Sequence, residues 1–145
     1  MAAGFGSLND SRPLDAGTYF PGQVVKVSGV TAGNMMPCAA DTDIPCGILQ
    51  QMPASSLGTV PDTDAGTICV AGVATALAGA AVAIGDNVVL KTAGVAVTNS
   101  TLGTVTVVGT LVPKAGAGWV IGQALMAAAA GEFFDILVNI RKEPA

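Results

Sequence analysis

The final stretch of the chain constrains its fold more than any other. Residues 133–141 divide into two faces with period two: Phe134, Ile136, Val138 and Ile140 on one side, Phe133, Asp135, Leu137, Asn139 and Arg141 on the other. Period two is the repeat of a β-strand, and one wholly apolar face requires a core beside it. The alanine run at 127–130 would favour helix in isolation. Between Gly122 and Gly131, however, there is room for only about two turns, too few for a helix that holds itself in water. Neighbouring chain must therefore set its conformation. The segment carries a packing pattern and no catalytic constellation, which points to a structural role.

Upstream, turn signals recur every several residues, and the pieces between them are short and rich in β-branched side chains. Strands are expected at 23–28, 45–50, 66–71, 87–91, 94–98, 104–108, 119–125 and 133–141, giving an all-β barrel or sandwich. Val73, Leu77, Ala80 and Ile84 recur at helical spacing, but Gly79 costs a helix about 1 kcal/mol relative to alanine. Gly85-Asp86 is also a natural turn, so 73–85 reads as tight strands and turns. Residues 1–21 differ in character, with glycines, two prolines and isolated apolar residues. They read as an extended N-terminal arm on a β-barrel domain of residues 22–145.

Composition limits what such a domain does. Only 11% of residues are charged, against about 25% in an ordinary soluble domain. The 25 alanines and 19 glycines imply closely packed backbones. A monomer this poor in charge exposes apolar patches, and such patches mark contacts with other chains. The net charge of −4 and six scattered basic residues provide no cationic stripe for nucleic acid. Three cysteines, Cys38, Cys46 and Cys69, are too few and uneven for a disulfide framework and read as reduced, buried thiols. The N-terminus lacks the basic and apolar regions of a signal peptide, which predicts cytoplasmic synthesis without export. Two uncharged windows, 67–85 and 92–113, approach the length of a membrane span. Asn99, Ser100 and several threonines break the second, and the first reads better as strand and turn, so no membrane partner is expected.

No candidate chemistry outweighs a structural explanation. Asp62, Asp64 and Gly66 resemble the start of a calcium loop, but a third acid and a later glutamate are missing. Asp41, Asp43 and Asp86 beside turns are expected to bond backbone amides. Gly116-Ala117-Gly118-Trp119-Val120-Ile121-Gly122 lacks the spacing and βαβ context of a dinucleotide fingerprint and reads as a hairpin connection. Ser55, Ser56 and Ser100 have no nucleophile elbow, and the chain contains no histidine. Glu132 and Asp135 fall on opposite strand faces. No cofactor or metal is expected. Trp119, the only tryptophan, is assigned to core or oligomer-interface packing. Phe5, Leu8, Leu14, Tyr19 and Phe20 lie in a segment without a core of its own. They either dock onto their own barrel or bind another protein, for instance by adding a strand to a sheet edge.

Several segments carry a family resemblance. Gly22-Gln23-Val24-Val25-Lys26, Asp41-Thr42-Asp43-Ile44-Pro45-Cys46-Gly47-Ile48, Gly79-Ala80-Ala81-Val82-Ala83-Ile84-Gly85-Asp86-Asn87-Val88, Gly94-Val95-Ala96-Val97 and Ile121-Gly122-Gln123-Ala124-Leu125 with Ala129-Ala130-Gly131-Glu132 occur in order. Together they resemble the capsid cement, or head decoration, proteins of tailed phages. Thr104 to Gly116 departs from the family's compact form, and residues 1–21 match no family motif. The resemblance implies a small β-tulip barrel that assembles as a homotrimer on the outer surface of an icosahedral head. It implies binding to the major capsid protein, with the arm residues Phe5, Leu8, Leu14, Tyr19 and Phe20 as contacts, and stabilisation of the expanded shell without catalysis. Two other readings compete. One is a carbohydrate-binding or adhesin-like module with Trp119 and Tyr19 as a stacking platform. The other, a small barrel enzyme, is disfavoured by the missing histidines and scattered carboxylates.

Overall fold

A computed structural model of the chain describes residues 7–40, 42–51, 59–60, 64–91, 93–99 and 103–144. Among these every regular element is a strand. In chain order they are β1 (Leu8–Pro13), β2 (Gly17–Thr18), β3 (Val24–Val27), β4 (Met35–Pro37), β5 (Gly47–Gln51), β6 (Thr59–Val60) and β7 (Ala65–Leu77). There follow β8 (Asn87–Leu90), β9 (Val95–Asn99), β10 (Gly103–Val107), β11 (Leu111–Pro113), β12 (Gly118–Ala124) and β13 (Phe133–Glu143). The expected all-β class and the eight expected strand positions match these elements.

Eight antiparallel strands, ordered β11-β8-β12-β13-β7-β5-β3-β4, curl into a half-barrel, and β1 pairs with β7 beside that path. A bridge between Ala78, just beyond β7, and Leu111 in β11 draws the curled sheet together. The period-two pattern of β13 becomes a packing fact here, since Phe134, Ile136 and Val138 are buried while Phe133 and Leu137 stay exposed. They face Val24, Ile48, Cys69, Val88, Leu111 and Ile121 in the barrel interior.

β7 is 13 residues long and carries the architecture. Up to Ala71 it pairs with β1, and from Gly72 onward the same strand pairs with β13. Gly72 sits at that handover with φ of 94°, a left-handed conformation available to glycine at little steric cost. The strand therefore bends and continues where the sequence suggested an end at residue 71.

The alanine run is not helical. Val82 and Ala128 exchange backbone hydrogen bonds at 2.9 and 3.0 Å, and Gly131 N–H donates to Ala78 C=O at 2.8 Å. The two loops 78–86 and 125–132 thus run against each other, and small side chains allow the approach. Gly122 shows the same principle within a ladder, because a Cβ there would lie 2.1 Å from the carbonyl oxygen of Leu137. The 114–118 segment is a correction: it is not a hairpin connection, since β8 lies between β11 and β12 and the segment crosses it.

Residues from Ser7 onward follow the sheet instead of leaving it. Arg12 of β1 pairs opposite Gly66 and Asp10 opposite Ile68. Leu14, Tyr19 and Phe20, assigned by the sequence to a partner contact, are 0%, 2% and 6% exposed. Leu14 and Tyr19 join Val25, Met35, Leu49 and Ile68 in a cluster on the outer side of the sheet, and Phe20 packs with Leu77, Val97 and Val107. The physical reason is simple: isolated apolar residues in a polar segment need a dry surface, and their own barrel supplies one. Phe5 lies outside the described residues.

Candidate interaction surface

No constellation of catalytic type forms among the described residues. The acidic turns do local structural work. Asp43 Oδ1 accepts from Lys26 Nζ at 2.7 Å, and its Oδ2 accepts from the backbone N–H groups of Ala39 and Ala40 at 2.8 and 3.0 Å. Partial burial pushes the Asp43 carboxyl up, but the Lys26 ammonium and the two amides outweigh it, leaving the group below the usual carboxylate range. Asp86 Oδ2 accepts from Ala83 N–H at 2.9 Å, and Glu132 Oε1 from Ala129 N–H at 2.8 Å, both closing turns. Asp41 and Asp62 lie outside the described residues, as do Ser55, Ser56 and Ser100. Among the described residues no three histidine, cysteine or carboxylate side chains converge in the manner of a metal site.

The thiols are poorly suited to nucleophilic work. Burial, reinforced by the Asp43 carboxylate and opposed by Lys26, pushes Cys38 up to about 12. Burial also raises Cys69. Both remain protonated at neutral pH and unreactive. Cys46 is only half-buried, unlike the fully buried thiol expected of it.

Among several open surface grooves, two lie one towards each end of the strand order, the first mainly apolar and the second mixed polar and apolar. The first has a volume of about 250 Å³, lined by Val27, Met35, Cys46, Ile68 and Val70, with the Asp10–Arg12 ion pair at its margin. It forms because the outward residues of β7, β5, β3 and β4 are apolar as well as the inward ones, and Leu14 and Tyr19 cover only part of them. Tyr19 is fixed there by donating its hydroxyl to Asp15 C=O at 2.8 Å. Val27, Ile44 and Val30 remain 61%, 64% and 87% exposed around this surface.

The second groove, about 270 Å³, is lined by Val89, Lys91, Val112, Trp119 and the loop before Trp119. Trp119 is half-buried and stands opposite Lys142 in the β12–β13 register. Leu8, at 64% exposure, is the one residue of the expected contact set that the described structure leaves at the surface. Neither groove announces itself in the sequence. The signal was indirect: too few charges to cover a sheet whose strands are apolar on both faces.

No family model and no curated protein matches the sequence. A solved structure does: the head fiber gp8.5 N base of bacteriophage phi29, with a TM-score of 0.55 at 16% identity. The match covers 97% of this chain and 100% of that one. At this identity the likeness establishes a shared fold across essentially the whole domain.

Proposed function

We propose that the chain is a structural component of a phage virion: a decoration protein that binds the outer surface of the head as a trimer and stabilises the expanded capsid. The observation that carries this reading is the full-length fold likeness to a head fiber base. The resemblance of several ordered sequence segments to head decoration proteins supports it as well. So does the surface, with 11% charged residues and a mainly apolar groove that suits contact with another chain. The partner in this reading is the major capsid protein. Leu8 is available for that contact, whereas Leu14, Tyr19 and Phe20 serve the fold.

The mechanism is mechanical. A protein that binds only the intact lattice shifts the equilibrium away from disruption, by about 2.7 kcal/mol per site at a free concentration 100 times Kd. Three subunits held together raise the effective concentration of each contact, so modest contacts suffice. The alternative of a carbohydrate-binding platform loses half its stacking surface, because Tyr19 is 2% exposed. Heads lacking the chain, heated with and without added purified protein, test the reading. Release of packaged DNA at a higher temperature with the protein is the expected result, and an unchanged release temperature despite saturating protein would overturn the stabilising role.

A further inference from the structure

Part of the outer face of the main sheet is covered by chain that lies outside its ladder. Residues 14–20, between β1 and β3, form a strap whose Leu14 and Tyr19 pack on Val25, Met35, Leu49 and Ile68. Its last residue, Phe20, packs instead with Leu77 and with Val97 and Val107 of the β9–β10 hairpin. The strap is tied at its ends, where Asp15 N–H donates to Met35 C=O at 2.9 Å and Gly22 N–H to Leu49 C=O at 2.6 Å. The hairpin is a separate two-stranded sheet, anchored at its base by Val24 N–H to Gly109 C=O and Lys91 N–H to Thr110 C=O, each at 2.9 Å. Such a ribbon is marginally stable alone in water. Burial of Phe20, Val97 and Val107 against Leu77 therefore holds it down.

One buried side chain joins the two pieces. Gln23, 2% exposed, accepts from Phe20 N–H through Oε1 at 2.7 Å and donates through Nε2 to Val108 C=O at 2.9 Å. Lifting either piece by itself breaks one half of this bridge and strips Phe20 of its neighbours. Leaving a buried amide half-satisfied is costly, so the two pieces favour moving together.

We infer that the Phe20 end of the strap and the β9–β10 hairpin form one cover that opens as a unit, apart from the barrel, with Gln23 as its latch. The inference does not rest on the proposed function. Opening leaves the ladder from β11 to β4 and the interior cluster around Val88, Ile121 and Ile136 intact. It uncovers Leu77 and the apolar outer surface beside it, so the latch governs when that surface meets water. Units of this kind reveal themselves by exchanging their amide hydrogens through a common opening below the global one.

Amide hydrogen exchange on the full chain, at one protein concentration, gives the test. In wild type the Phe20 N–H and the amides of the β9–β10 ladder are expected to exchange through one shared opening, about tenfold or more faster than those of the β12–β13 ladder. Val107→Ala removes packing from the hairpin alone, and it is expected to speed the Phe20 amide together with the hairpin by roughly tenfold. Ile136→Val weakens the barrel interior, which stays packed when the cover lifts. It is expected to speed the β13 amides several-fold and leave the cover unchanged. Gln23→Met removes the bridge at similar length and is expected to speed the β9–β10 ladder amides, although the Gln23 side chain bonds none of them. A Phe20 amide unmoved by Val107→Ala would overturn the coupling. Cover amides that accelerate in Ile136→Val as much as those of β13 would show that no separate opening exists. A hairpin unchanged in Gln23→Met would overturn the latch, and the other two variants decide the shared opening if Gln23→Met does not fold.

Discussion

Replacing Gly122 with alanine tests whether close backbone approach holds this barrel together. An added Cβ would lie 2.1 Å from Leu137 O, 3.0 Å from Leu137 C and 3.1 Å from the Ile136 side chain. The first two atoms are backbone of the adjacent strand β13, held on its other edge by β7. Relief therefore requires β12 and β13 to separate by about 1 Å, which strains their ladder as well as the interior packing of Ile136. Overpacking of this kind costs typically about 1–3 kcal/mol, and the absence of a flexible atom to yield places Gly122→Ala at the upper end, about 3 kcal/mol. For a domain of this size that lowers Tm by roughly 6–12 °C. Gly116→Ala is the control, since nothing lies within 4 Å of a Cβ there. It is expected to be neutral or to stabilise by a few tenths of a kcal/mol through the unfolded chain. Urea unfolding of both variants at one protein concentration measures the difference. Gly122→Ala within about 0.5 kcal/mol of wild type would refute the reasoning, because that is the scatter of an ordinary surface substitution.

Adjacent positions on β13 give a second prediction. Ile136 is fully buried and Leu137 is 43% exposed, so Ile136→Ala should cost about 2–5 kcal/mol and Leu137→Ala under about 1 kcal/mol, as read by chemical denaturation of the dissociated chain. Similar losses at both positions would contradict the assignment of faces. A third concerns pH. Asp43 has a folded-state pKa below its ordinary value of 3.8, so its stabilisation is fully present above the unfolded pKa and disappears as pH falls through the lower folded value. Wild type and Asp43→Asn should therefore differ in stability at pH 6 and converge in strongly acidic solution; a constant difference would contradict the carboxylate's role.

How legible the structure was depended on the physical signal each segment carried. β13 was readable because four apolar side chains on one face leave no other arrangement. β1 was not, since the Leu-Asn-Asp-Ser-Arg-Pro run is almost wholly exposed and owes its conformation to pairing with β7. β2, β4 and β11, at two or three residues each, are too short to show any period. Leu14, Tyr19 and Phe20 announced a need for burial but not the surface that meets it. The strand expected at 66–71 stops short of Gly72, where β7 instead takes a left-handed φ of 94° and continues to Leu77. The first groove was inferable only as a surplus of apolar surface, for its shape depends on strands over 50 residues apart in sequence, such as the 10–12 and 66–68 segments paired through β1 and β7.

The most direct test of the structural virion reading is co-sedimentation of the purified chain with phage heads that lack it, scored by bound copies per head. Saturable binding to the outer surface in multiples of three, with the bound chain open to added antibody, is the predicted result. Heads that pellet without the chain at concentrations where it is folded and trimeric would contradict the account.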